Sequence, residues 1–247
     1  MGNIFKVFFT ISVFFLLSGC DSFNSEKRQI EMCKIQLDES YKKSKLNNFE
    51  QDKFADLLAN RFPIYEEMFM NASIETSINK DLLAAISFQE SQWDPRAKSN
   101  MGVRGMMMVT LETAAMVGVE KRLNPEQNIN GGARYLAILK DKNIFGKTTA
   151  DQLSITLASY NLGPTNIINI AKTINKEPTE ITWFDLENKL KNITGEDVNL
   201  IDVNGYSRGQ QAIDYVYRVK NYYELMAAHS CTNPHSCTNP KDQLTFF

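Results

Sequence analysis

The chain has 247 residues, 43% of them apolar and 23% charged, with a formal net charge of −2. That length and apolar fraction suit one substantial domain with a proper core. The charge balance excludes the basic footprint of a nucleic-acid binder, and the cluster of Lys42, Lys43 and Lys45 reads as a solvated helix face.

The first segment reads as an export signal. Lys6 precedes an apolar run from Val7 to Leu17, and Leu17-Ser18-Gly19-Cys20 follows. The run is too short for a comfortable membrane span and ends in small residues, as a cleaved leader does. A cysteine after Leu-Ser-Gly resembles the bacterial lipoprotein signal, so residues 1–19 are expected to be removed and Cys20 to be lipidated, with residues 20–26 as a tether. Acyl chains hold a domain at a membrane surface by burying methylenes, about 0.8 kcal/mol each. The expectation is a periplasm-facing lipoprotein of a bacterial envelope, and Asp21 does not decide between inner and outer membrane. An uncleaved N-terminal anchor helix is the alternative.

Residues 27–75 predict a helical N-terminal region, with apolar positions recurring at Ile30, Ile35, Leu46, Phe54, Leu57 and Leu58 and a break or helix start at Pro63. The next run, Asp81-Leu-Leu-Ala-Ala-Ile-Ser-Phe-Gln-Glu90, is helical until Trp93-Asp94-Pro95. At about 100° per residue, Leu83, Ile86 and Glu90 share one stripe, which sets a carboxyl group against apolar neighbours. Burial disfavours its charged form and raises its pKa, as a general acid working near neutral pH needs.

Gly102 and Gly105 mark a loop between Ala97 and Thr110. Thr110 caps a short helix closed by Gly118, and a longer helix from about Glu126 carries Ile129, Ala133, Leu136 and Leu139. Leu153, Leu157 and Tyr160 stripe the next helix, which Gly163-Pro164 stops. A less regular stretch surrounds Trp183. Ser207 and Gln210 form a capping-box pattern for a final helix through Ala228, lined by Tyr215, Val219, Tyr222 and Met226. The fold class is therefore all-α, with at most a small β element near residues 97–108.

With Cys20 set aside, Cys33, Cys231 and Cys237 remain, so at most one disulfide forms within the chain. The last two lie in a tandem hexapeptide, His229-Ser-Cys-Thr-Asn-Pro234 and His235-Ser-Cys-Thr-Asn-Pro240. Its spacing matches no strong zinc motif, and residues 229–247 read as a polar, disordered tail.

Six motifs follow one another in order: Glu90-Ser91, Ser99, Gly102-Val-Arg-Gly-Met-Met-Met108, Asn128-Ile129 with Gly132 and Tyr135-Leu136, Ala158-Ser-Tyr-Asn-Leu-Gly163, and Tyr215-Val216. In this order and spacing the chain resembles the soluble-lytic-transglycosylase family over about residues 80–225. The Gly-Val-Arg-Gly-Met-Met-Met run and the Gly205 to Gly209 segment are similar to its membrane-bound F-type members. The resemblance implies a lysozyme-like α domain over residues 76–228, with peptidoglycan glycan strands in a cleft. It also implies cleavage of the β-1,4 bond between N-acetylmuramic acid and N-acetylglucosamine without water, leaving 1,6-anhydromuramic ends. Glu90 would act first as acid and then as base. Ser91, Ser99, Met108, Tyr160, Asn161 and Tyr215 would bind substrate, although many relatives carry glutamine at the Met108 position. No metal or other cofactor is expected, and the implied partners are glycan strands and, through the lipid, a membrane.

The residues also allow plainer readings. Ser91 and Ser99 suit turns, Met106 to Met108 suit packing, Tyr160 and Tyr215 suit a core with a bonded hydroxyl, and Asn161 suits a helix C-cap. Two other functions remain open: a lysozyme-type hydrolase with Asp94 as second carboxylate, and a non-catalytic glycan-binding lipoprotein.

Overall fold

Most helix starts among the described residues are written in short polar side chains. The computed structural model describes residues 27–100, 102–192 and 207–232. The expected export signal, Cys20, residues 205–206 and the second hexapeptide copy lie outside the described residues. The helices are α1 (27–43), α2 (Asn48–Asn60), α3 (Glu66–Thr76), α4 (Lys80–Ser91), α5 (Leu111–Val117), α6 (Pro125–Lys142), α7 (Thr149–Leu162), α8 (Pro164–Lys172), α9 (Trp183–Lys191) and α10 (Arg208–Thr232). A 3-10 turn at Phe62–Ile64 places Pro63 between α2 and α3. The expected all-α class holds among these residues, and the small β element near 97–108 consists of isolated bridges.

The centre is α4. Asn79 starts it by accepting from the backbone N–H groups of Asp81 and Leu82. Every residue from Lys80 to Phe88 is buried, and a helix covered on all sides lies at the middle of a domain. Gln92 and Trp93 end it with φ of 54° and 58°, a left-handed pair that costs about 1 kcal/mol or more per residue. Burial of Trp93 offsets that cost. Its ring packs among Phe54, Phe62 and Phe88, and its Nε1 donates to the Ala84 carbonyl at 2.9 Å.

Helix α10 packs along α4, α7 and α9, while α3 packs on α4 and α6. The N-terminal helices feed the same core: Phe54 of α2 is fully buried against Phe88 and Tyr222, and an Arg218–Glu50 ion pair links α10 to α2.

Several local expectations needed correction. Pro164 stops α7 but also opens α8, because a proline at the first helical position lacks only an N–H that the helix does not use. The stretch around Trp183 is helix α9, started by a Thr182–Asp185 capping box. Ser207 caps α10 through the Gly209 N–H, but Gln210 bonds Asp214 instead of reaching back. Helix α10 also continues past Ala228 to Thr232, so the first hexapeptide copy is structured as far as that residue. The cause is tertiary: His229 shares a hydrogen bond with Tyr41, Ser230 donates to Asp81, and Cys231 forms a disulfide with Cys33.

Candidate active site

The loop after α4 folds back on it and is fixed through its peptide groups. Arg104 makes antiparallel bridges to Lys98 and Val109, and the Arg122 guanidinium donates to the carbonyls of Gly102 and Val109. Gly105 has φ of 82°, and a Cβ there would collide with Asn128 and the Arg122 carbonyl. Asn128, fully buried, accepts from Met107 N–H at 2.7 Å and donates to the carbonyls of Arg104 and Arg122 at 2.9 and 2.7 Å. Ser87 and Ser91 both donate to the Met106 carbonyl. The Tyr160 hydroxyl donates to the Met107 carbonyl at 2.8 Å. Helices α4, α6 and α7 are thus joined across one short loop.

Glu90 stands at the C-terminal end of α4, on the same stripe as the fully buried Leu83 and Ile86. The residue as a whole is partly exposed, while its carboxyl is densely surrounded by protein. Loss of water raises its pKa to about 7, and the Tyr215 hydroxyl opposes that rise by favouring the charged form. Tyr215 is buried, and its hydroxyl reaches no partner in standard hydrogen-bond geometry, so its contact with Glu90 is close but imperfectly aligned. Burial, and after it the Glu90 charge, lift the ionisation of both Tyr160 and Tyr215 well above the usual range. Both phenols are therefore neutral hydrogen-bonding groups at neutral pH.

A groove of about 800 Å³ adjoins this centre, lined by Met108, Tyr135, Tyr160 and Asn161 and by the exposed Met116 and Ile168. Its size suits a small-ligand site. Glu90 is not on its wall, but Tyr160 belongs to both settings: it lines the groove and senses the Glu90 charge.

The structure brings Glu90, Tyr160 and Tyr215 together, with Met108 and Asn161 on the groove. Asn161 is exposed and does not cap α7, whose C-cap is Gly163. Ser91 is engaged with the loop carbonyl. Ser99 accepts from Val103 N–H and closes its own turn. Met106 and Met107 are fully buried, whereas Met108 is partly exposed with φ of 47°. Asp94 accepts from Arg96 N–H at 2.9 Å and shapes the turn after α4. Sequence reasoning placed Asn128 in a motif without a role and passed over Ser87 and Arg122. Only the Asn128-Ile129 motif hinted at this scaffold.

The chain is similar to known proteins over most of its length. The family model of the transglycosylase SLT domain matches residues 67–182. The chain is 38% identical over 182 residues to membrane-bound lytic murein transglycosylase F 2 of Alkalilimnicola ehrlichii, covering 70% of this chain and 40% of that protein. It is 36% identical to membrane-bound lytic murein transglycosylase F of Saccharophagus degradans, covering 73% of this chain and 36% of the relative. The chain thus spans about two fifths of the length of these curated relatives. The 70 kDa soluble lytic transglycosylase SLT70 of Escherichia coli and an inactive mutant of lytic transglycosylase Slt of Pseudomonas aeruginosa share the fold, each with a TM-score of 0.50. Their identities are 21% and 18%, and each match covers 71% of this chain and 26% or 27% of the larger one. Through residues 67–182, this chain belongs to the soluble-lytic-transglycosylase family.

Proposed function

We propose that the protein is a peptidoglycan lytic transglycosylase, cutting the β-1,4 bond between N-acetylmuramic acid and N-acetylglucosamine without water and leaving 1,6-anhydromuramic ends. The observation that carries this reading is Glu90, a carboxyl held near pKa 7 by burial beside a groove. Protonated, Glu90 gives its proton to the departing glycosidic oxygen while the substrate's own acetamido group steadies the positive anomeric carbon. The carboxylate then takes the proton of the sugar's 6-hydroxyl, which closes the anhydro ring, so one residue serves as acid and then base. Tyr215 faces the carboxylate, and Tyr160, Asn161 and Met108 border the sugar. Ser91 and Ser99 contribute by holding the loop.

Glycosidases that use a water ordinarily work with a second carboxylate across the bond. The hydrolase reading assigns that role to Asp94, whose carboxylate is already bonded to Arg96 N–H. Mass spectrometry of glycan released from sacculi separates the two readings, because hydrolytic ends carry one more water than anhydro ends.

The same proposal places the enzyme at the periplasmic face of a bacterial membrane, tethered through a lipid on Cys20. The Cys33–Cys231 disulfide supports an exported setting, since such bonds persist in oxidising compartments. No described helix is long and apolar enough to cross a membrane. Incorporation of labelled fatty acid into a Cys20→Ser variant as efficient as into the parent protein would refute the tether.

A further inference from the structure

A phenol hydroxyl has one proton to donate, and the two tyrosines beside Glu90 commit theirs differently. The Tyr160 proton goes to the Met107 carbonyl at 2.8 Å, so only its oxygen lone pairs are left for anything in the site. The Tyr215 hydroxyl has no partner in standard geometry but lies close enough to Glu90 to favour the charged carboxyl, so its proton is available to that group.

Met107, whose carbonyl captures the Tyr160 proton, is held on the other side of its Cα by the 2.7 Å bond from its N–H to Asn128 Oδ1. Asn128 sits in one orientation only. A flip would set its NH₂ against the Met107 N–H and its oxygen against the two carbonyls it now donates to. Gly105 and Gly132 leave no room for the loop to shift around it, because a Cβ on either would collide with Asn128 or Met107. The N–H that shares a peptide group with the Met107 carbonyl, that of Met108, donates to the Gly105 carbonyl at 3.1 Å, and a carbonyl whose own peptide N–H is bonded is a stronger acceptor.

We propose that Asn128 is a positioning residue: through the backbone of Met107 it fixes Tyr160 as a hydrogen-bond acceptor toward the sugar and leaves Tyr215 as the donor to Glu90. This rests on the transglycosylase reading. The Tyr160 oxygen then turns a negative dipole to the acetamido N–H or to the positive charge growing at the anomeric carbon. The Tyr215 proton steadies the Glu90 carboxylate once its own proton has left. Prepositioned dipoles of this kind stabilise charge at the moment it forms.

The test is a double-mutant cycle on kcat and KM with purified glycan strands, using Asn128→Ala, Tyr160→Phe and the pair. Each single change is expected to lower kcat about 10- to 100-fold with little effect on KM. The double variant should lose no more than the worse single one, because Asn128 acts through Tyr160. NMR of the protein labelled at the tyrosine Cζ supplies a readout that loss of stability alone does not move: the Tyr160 resonance should shift in Asn128→Ala while that of Tyr215 stays. Asn128→Ser carries the same cycle if the alanine variant does not fold. Multiplicative losses in the double variant, or an unshifted Tyr160 resonance, would overturn the proposal. A wild-type protein inactive on every glycan would instead contradict the transglycosylase reading, and the NMR arm would still decide the Asn128–Tyr160 link.

Discussion

Cys33 and Cys231, 198 residues apart in sequence, are joined by a disulfide that ties α1 to the last turn of α10. The two residues before Cys231 reinforce it, His229 by bonding Tyr41 and Ser230 by bonding the buried Asp81 of α4. A bridge closing so long a loop restricts the unfolded chain, typically by about 2–4 kcal/mol. Replacing both cysteines with serine should lower the melting temperature by roughly 4–16 °C, at about 2–4 °C per kcal/mol. Calorimetry with and without dithiothreitol checks this, and identical melting in both conditions would contradict the clamp.

Glu90 weakens the fold at neutral pH. Its pKa is raised from the ordinary 4.5 to about 7, so between those values the folded state holds a proton that the unfolded state has released. The contribution of Glu90 to stability is then fullest below pH 4.5 and is lost as pH rises through 7, by up to about 3 kcal/mol at 1.36 kcal/mol per unit. Glu90→Gln cannot ionise, and it should be more stable than the parent at pH 8 but nearly equal at pH 4. Urea unfolding at both pH values tests the sign. A gap that is the same at both would show that Glu90 is not held protonated.

The same proton sets the rate. Because the reacting form is the acid, kcat/KM should fall about tenfold per pH unit above pH 7. Tyr215 favours the charged carboxyl, so Tyr215→Phe should move this limb to higher pH while lowering kcat. A limb that stays in place or moves down would contradict the assigned contact.

Gly105→Ala should disorganise the loop between α4 and α5. Both its φ of 82° and the collision of a new Cβ with Asn128 oppose the change. The expected loss is about 1–3 kcal/mol of stability and at least tenfold in kcat. Gly118→Ala is the control: φ is 74° but the space around it is open, so it should carry the strain alone and keep its activity. Equal effects of the two changes on kcat would refute the special role of the loop.

Much of this architecture is legible in the sequence because it is encoded locally. Thr110 caps its helix with its own side chain, and the Leu83–Ile86–Glu90 stripe follows from helical period alone. What stayed hidden depends on distant partners. Ser91 reads equally as a substrate ligand or a turn residue until the Met106 carbonyl is found in reach of it. The last turn of α10 looks like the start of a polar tail, because nothing near His229 in sequence announces Tyr41, Asp81 or Cys33. Asn128 looks like an ordinary helix residue, and only the folded loop shows three backbone groups converging on its amide.

The most direct measurement is digestion of purified sacculi by the protein and by its Glu90→Gln variant, followed by mass spectrometry of the released fragments. The expected result is 1,6-anhydromuramic ends from the parent and a rate at least about 10²-fold lower from the variant. Reducing ends carrying an added water, or equal release by both proteins, would contradict a transglycosylase that works through the Glu90 proton.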